Sequence, residues 1–267
     1  MMRNVTLDQL VAGGGMSETI ASLLSAAVRA RLGIVVSGGK GAGKTTLLRA
    51  LCAEIGPGEV IGTFETDYEL LLHEQAEERH ALVHAWSAGA ELDGSRQTAE
   101  QALGSFRFRL DRGILGEVGG AEVKLMATLM EAGACPMSTT QAATARQAVE
   151  RLIAGVIQTD VQISPRAAAS KVAQAVHLVV QLACDVVGDP DDPSKARERR
   201  YVDEIVEVLP GENEAGYATN VIFRRRAGEC AVAAMPPDRL MDRLVAHGID
   251  ADAFAAEVRA NRQPRGL

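Results

Sequence analysis

Aromatic residues are scarce in this chain: one Trp, three Tyr and five Phe among 267 residues. A core must therefore be built mainly from Ala, Val, Leu and Ile, and aromatic platforms for single-stranded nucleic acid are not expected. Basic charge is also short. Lys and Arg number 28 against 35 Asp and Glu, a formal net charge of -7, which argues against a duplex-binding face and against nucleic acid as a partner. The four cysteines, Cys52, Cys135, Cys184 and Cys230, form no C-x-x-C pair. They read as reduced thiols in a cytoplasmic protein rather than a disulfide framework. No apolar run approaches the ~18 residues of a membrane span, and MMRNVTLDQL lacks the cationic start and apolar run of a leader. Work at a membrane would be that of a peripheral partner.

Present instead is a hydrophobic fraction of 47%, spread over short runs between turn residues. Thr6-Leu-Asp-Gln9 is a capping box that opens a short helix. Ser17 caps a second, through about residue 31, with Ile20, Leu23, Leu24 and Val28 on one face. Residues 34–37 make a short buried strand, and 44–55 a helix. Further strands are expected at 59–64, 81–86, 113–118 and 137–140, and helices at 98–107, 121–134, 145–159 and 164–176. Pro165 sits at the first position of the last of these. The stretch 188–200, rich in Asp, Pro and charge, reads as an exposed loop. A hairpin over 201–209 and 217–224 and two helices around 239–247 and 252–261 complete the chain. Alternating strands and helices indicate an α/β core with a largely parallel sheet. The expected division is a helical lead-in over 1–32, a core over 33–187, a polar loop and hairpin completing the sheet over 188–235, and a helical tail over 236–267.

Gly38-Gly-Lys-Gly-Ala-Gly-Lys-Thr45 satisfies G-x-x-x-x-G-K-[ST]. Glycines let successive backbone N–H groups turn into one concavity, and the following helix start adds its own. Gly38, Gly39, Gly41, Ala42 and Gly43 form the cradle. Lys44 reaches the β- and γ-phosphates, Thr45 offers a hydroxyl to Mg²⁺, and Thr46 contacts the α-phosphate. Lys40 either adds positive charge near the phosphates or is simply solvated. A chance match in a glycine-rich chain is the alternative, but the apolar strand before the motif and the helix after it are the context the motif requires. The implied ligand is ATP with Mg²⁺. Such a site needs a carboxylate at the end of a neighbouring strand to order Mg²⁺ or to polarise water. Glu117, in Gly113-Ile-Leu-Gly-Glu-Val118, is the candidate, and it could act on the metal through a water.

These residues resemble an ordered set in the ATPases of type II and type IV secretion, in particular the CpaF-like branch of tight-adherence pilus assembly. Arg109-Leu-Asp-Arg-Gly-Ile-Leu-Gly-Glu-Val118 is similar to R-P-D-R-I-I-V-G-E-V, Met137-Ser-Thr-Thr-Gln-Ala142 to M-S-T-L-H-A, and Phe64-Glu-Thr-Asp-Tyr-Glu-Leu70 to I-E-D-T-x-E-L. The resemblance implies a RecA-like P-loop NTPase core, with short N-terminal helices and a C-terminal β-hairpin and helices. It implies ATP hydrolysis with Glu117 as catalytic glutamate and with Lys44, Glu65 and Gln141 in the catalytic set. It also implies a hexameric ring at the cytoplasmic face of the inner membrane, acting on membrane platform proteins of a pilus or secretion system.

The pattern departs from the family in four places. Thr66 stands at the second acidic position, with Asp67 one step along, and a one-residue shift in a strand turns the side chain to the other face. Gln141 replaces the histidine of M-S-T-L-H-A and cannot carry positive charge. Gly119-Gly120 replaces R-G, and the arginine-rich segment before the glutamate is missing, leaving Arg96, Arg107, Arg109 and Arg112 as the nearest cations. Finally, the chain begins almost at the motor domain, as a stand-alone domain would, or as a start codon placed inside a longer reading frame would. The second reading is accordingly a catalytically weak nucleotide-binding paralogue that regulates or joins a ring of a full-length ATPase. An unrelated P-loop kinase or GTPase explains the downstream matches poorly. His80-x-x-x-His84 has helical spacing but no third ligand, so a protein metal site is not expected.

Overall fold

The computed structural model describes residues 5–65, 69–72, 82–87, 110–119, 122–160, 162–189, 192–212, 214–225 and 231–262. Among the described residues nine strands make one sheet. They are β1 (Ile34–Gly38), β2 (Val60–Glu65), β3 (Leu82–Ser87), β4 (Arg112–Leu115), β5 (Cys135–Thr140), β6 (Leu178–Asp189), β7 (Asp192–Pro210), β8 (Tyr217–Arg225) and β9 (Ala231–Ala233). Their order is β3-β2-β4-β5-β1-β6-β7-β8-β9. Every pairing from β3 to β6 is parallel, and every pairing from β6 to β9 is antiparallel.

All five residues of β1 are buried, as its central place between β5 and β6 demands. Side chains alternate across the pleat. Ile34 and Val36 join the core formed with α2 (Glu18–Arg29) and α3 (Lys44–Cys52). Val35 joins the opposite core, with α4 (Glu122–Glu131), α5 (Ala145–Thr159) and α6 (Pro165–Ala175). Helices therefore cover both faces, the RecA-like α/β arrangement expected. Short α1 (Leu7–Ala12) carries the anticipated capping box, with Thr6 and Gln9 bonded reciprocally. Ser164 caps α6, with Pro165 in its first turn. The C-terminal α7 (Asp238–Val245) and α8 (Ala251–Arg262) pack on the core. Phe254 meets Phe223 of β8 edge-to-face, ring centroids 5.6 Å apart.

One expectation is corrected. Residues 188–200 are not a loop: β6 continues to Asp189 and β7 starts at Asp192, and the pair runs Cys184↔Arg200 to Val187↔Arg197. Residues 184–188 and 196–200 are all exposed, so this ribbon touches no core and its composition carries no apolar alternation. His84 lies in a strand, so the i, i+4 helical spacing inferred for it does not exist there. The helix expected at 98–107, and Thr66, Asp67, His80, Arg96, Arg107, Arg109 and Cys230, lie outside the described residues.

Arg112, counted above among cations near the phosphates, belongs elsewhere. It opens β4, at the sheet edge opposite the glycine loop, and is fully buried. Its Nε donates to Glu59 Oε2 at 2.8 Å and its Nη2 to Val28 O at 2.7 Å. Burial pushes the neighbouring Cys135 thiol up to about 11, so it is protonated at neutral pH. At the same edge, Nδ1 of His177 accepts from Gly33 N at 3.0 Å. Burial first, then Arg243 and Arg239, lower its pKa to about 4.

Two outcomes are expected. Arg112→Met leaves Glu59 with only the half-exposed Arg31 at 3.2 Å and strips the Val28 carbonyl of its donor, so it costs about 3 kcal/mol in denaturant unfolding. Loss of the exposed Arg146–Glu150 pair by Arg146→Met leaves stability unchanged. His177 stays neutral in the folded chain down to about pH 4, whereas the unfolded chain takes up its proton near pH 6.5. The unfolded state thus binds more protons in that window, and stability falls as pH drops from about 6.5 to 4. The stability difference between wild type and His177→Gln should shift in that window by up to about 3 kcal/mol and be flat above it.

Candidate functional site

The glycine loop leaves the carboxyl end of β1 and enters α3. Gly41 and Gly43 have φ of +77° and +94°, left-handed values that only glycine takes without strain. Gly43 is the N-cap of α3 and places no side chain over the first turn. The N–H groups there, and the positive end of the helix dipole, are left for an anion. Nζ of Lys44 donates to Gly39 O at 2.9 Å, so the lysine bends back across the loop mouth.

Parallel strands bring their carboxyl ends to the same edge. A cavity of 540 Å³ lies there, lined by Lys40, Lys44, Thr45, Glu65, Glu69, Glu117 and Gln141 among others. Of the residues chosen from the sequence, Lys40, Lys44, Thr45, Glu65, Glu117 and Gln141 meet there, whereas Ala42 and Thr46 line a different cavity. Lys40 is exposed at its rim. Glu117 follows β4 directly, and its turn is tied to β5 on both sides. Thr139 Oγ1 donates to Gly116 O and Thr140 Oγ1 to Val118 O, each at 2.6 Å, while Val118 N donates to Thr139 O at 2.7 Å. The threonines of the Ser138-Thr-Thr string thus hold, through their hydroxyls, the carbonyls that flank the glutamate. Gln141, just beyond β5, is exposed to the cavity.

Glu65 and Glu69 divide their labour differently from expectation. Glu65, at the end of β2, is buried, and its Oε1 accepts from the backbone N–H of Glu69 at 3.1 Å and of Leu70 at 2.9 Å. Burial raises its pKa above the usual carboxylate value, against the lowering effect of those two bonds. Glu69 is exposed, and its Oε2 accepts from Thr45 Oγ1 at 3.2 Å. Glu69 is a site residue that the sequence pattern does not single out. Its signal is present in the acidic segment, but its partner lies 24 positions away on another element.

The donor set fits magnesium. It consists of oxygens, namely the Thr45 hydroxyl beside Glu69 and the exposed Glu117, all facing one cavity. Among the described residues no group of three His, Cys, Asp or Glu could hold a metal alone. Magnesium keeps several waters and is held by one or two protein oxygens together with substrate phosphates.

The family model described as type II/IV secretion system protein matches residues 1–257. The chain belongs to that family. Its curated relatives include a conjugal transfer protein TrbB of Rhizobium radiobacter, 31% identical over 181 residues, covering 67% of this chain and 53% of that one. A putative conjugal transfer protein of Mycobacterium tuberculosis is 39% identical over 130 residues, 46% of this chain and 35% of that one. This family member thus spans about a third to a half of the length of those relatives. Among solved structures, the VirB11 ATPase of the Brucella suis type IV secretion system, in complex with sulphate, aligns with a TM-score of 0.53 at 25% identity, covering 74% of this chain and 55% of that one.

The bonds accepted by Glu65 give the site its own test. With Glu65→Ala, the amides of Glu69 and Leu70 should exchange with solvent deuterium about tenfold faster or more, the worth of bonds to a charged acceptor. Glu65→Gln, which keeps one carbonyl oxygen, should restore part of the protection.

Proposed function

We propose that this chain is an ATP-binding and ATP-hydrolysing motor unit that energises type IV-type secretion or pilus assembly. The observation that supports it best is the single cavity in which the bare N-terminus of α3, Lys44 and Thr45 face Glu117 and Glu69. The reaction is ATP and water to ADP and phosphate. The loop N–H groups and Lys44 take the β- and γ-phosphate oxygens and offset charge as the bond to the β-phosphate oxygen breaks. Glu117 orients the attacking water and accepts its proton. Thr45 and Glu69 would hold Mg²⁺, which would supply charge neutralisation. Gln141 offers a neutral hydrogen bond to phosphate or water.

Two further readings go with the motor. The CpaF-like motifs favour pilus assembly, while the TrbB and VirB11 likenesses favour conjugation and other type IV secretion. In either case the unit would sit in a hexameric ring at the cytoplasmic face of the inner membrane, against platform proteins. Among the described residues no helix is long and apolar enough to cross a membrane.

One observation favours the second reading, a catalytically weak paralogue that regulates or joins a ring of a full-length ATPase. Gln141, exposed to the cavity, stands where the family pattern has a histidine and brings no positive charge, and a cation at the transferring phosphate is worth about 10³-fold or more in rate. Turnover by the isolated chain should therefore be slow, and a neighbouring subunit would supply the cation.

Measurement of ATP binding and phosphate release decides between them. Lys44→Ala should weaken binding about tenfold or more, and Glu117→Gln should leave binding intact while lowering phosphate release about 10²-fold or more. ATP binding with no release sensitive to Glu117→Gln, and incorporation into rings of a full-length homologue, would select the regulatory reading. Absence of any ATP binding would remove both.

A further inference from the structure

Gln141 lies in the turn that joins β5 to α5, and the turn is fastened mostly to α5 itself. Ala143 N donates to Gln147 Oε1 at 3.2 Å, and Thr144 Oγ1 accepts from Gln147 N at 3.1 Å as the helix cap. Among the described residues, the side-chain bond that reaches this turn from another strand comes from Gln181 of β6. Its Nε2 donates to Ala142 O at 3.3 Å. The same nitrogen donates to Leu182 O at 3.2 Å. Both acceptors are carbonyl oxygens, which fixes the amide with its nitrogen toward them.

Leu182 O lies against the root of the glycine loop. Leu182 pairs in register with Gly38, and a Cβ on Gly38 would stand 2.9 Å from that oxygen. The β6–β7 ladder shifts register between Gln181 and Leu182, an irregularity of the kind that re-aims a side chain. One amide thus bridges the end of β1, from the carbonyl beneath Gly38 to the turn that carries Gln141. Gln181 is buried, and its in-register neighbour Ser37 is fully buried. Burying an amide is costly unless it is bonded, and Oε1 of Gln181 has no partner among the described residues. An apolar side chain would fill the same space without that cost, so packing alone does not account for a glutamine here.

We propose that Gln181 is a positioning residue: its amide sets the spacing between the glycine loop and Gln141, and thereby the preference of the site for a triphosphate over a diphosphate. Gln141 lines the cavity with Lys44 and Thr45, and Gln181 is not among the described residues that line it, so Gln181 acts through Gln141. The loop N–H groups hold phosphates in either nucleotide. Gln141 comes from another strand and serves the far end of the phosphate chain, which ADP lacks. A small displacement of the turn takes its amide out of hydrogen-bond reach, because such bonds weaken steeply with distance and angle. This rests on the nucleotide reading of the loop and on the role proposed above for Gln141.

The test titrates ATP and ADP, each with Mg²⁺, against wild type, Gln141→Ala, Gln181→Met, Gln181→Asn and the double variant Gln141→Ala with Gln181→Met. Asparagine keeps an amide but is one methylene short, so the long bond to Ala142 O is lost first; it carries the same test if the methionine variant does not fold. Gln141→Ala and each Gln181 variant should lose about three- to tenfold in ATP affinity, the worth of one neutral hydrogen bond, while ADP affinity stays within about twofold. The double variant should lose no more than either single change, since the two residues act in series. Without nucleotide, amides of residues 141–144 should exchange with solvent deuterium about threefold faster or more in Gln181→Asn. Equal losses for ATP and ADP, additive losses in the double variant, unchanged ATP affinity in the Gln181 variants, or unchanged exchange of the turn would each overturn the proposal and leave the nucleotide reading standing. If wild type binds neither nucleotide, or binds ATP without sensitivity to Lys44→Ala, the nucleotide reading fails and takes the proposal with it.

Discussion

Strand β1 is bonded in parallel on both flanks, from Ile34↔Met137 to Ser37↔Thr140 on one side and from Ile34↔Leu178 to Gly38↔Leu182 on the other. With every residue buried, it can move neither along nor across the sheet without breaking two ladders and two cores. The glycine loop hangs from its last residue. The Glu117 turn hangs from the end of β5 through Thr139 and Thr140, and β5 is in register with β1. Glu65 ends β2 and is reached through β4, whose Leu115 pairs with Phe64. The positions of loop, glutamate turn and acidic segment are thus three readings of one strand register.

The two edges of the parallel sheet serve opposite ends. At the amino edge, Arg112 is buried against Glu59 and His177 is held neutral beneath Gly33. Arg112 is held there by Glu59 and the Val28 carbonyl, and His177 by the Gly33 amide. At the carboxyl edge, Lys44, Glu69 and Glu117 face a cavity, and Gly43 leaves the first turn of α3 bare. Polar groups held close without internal satisfaction are what a site for a charged ligand requires, and the opposite edge supplies the rigidity that tolerates them.

Much of this was legible in the chain because the signals are local. The β-branched run before the glycines, the Thr6 and Ser164 caps, and the periodicity of 145–159 each depend on neighbours in sequence. The convergence of Lys44, Thr45, Glu117 and Gln141 followed from the motif order. The misreadings share a cause in distant contact. Arg112 has the charge of a phosphate-binding residue, but its partners are Glu59 and the carbonyl of Val28. The sequence pattern places Glu65, and not Glu69, in the catalytic set, and only the end of β2 decides that Glu65 turns inward while Glu69 meets Thr45. Residues 184–188 and 196–200 of the ribbon are exposed, so the alternation that normally reveals a strand was never written into them.

The sheet ends at β9, only three residues long and paired with β8 over Phe223↔Ala233 to Arg225↔Ala231. So brief an edge offers another chain very few free backbone donors and acceptors. A copy of this protein would gain few backbone bonds by continuing the sheet at β9, whereas the opposite edge strand, β3, is twice as long.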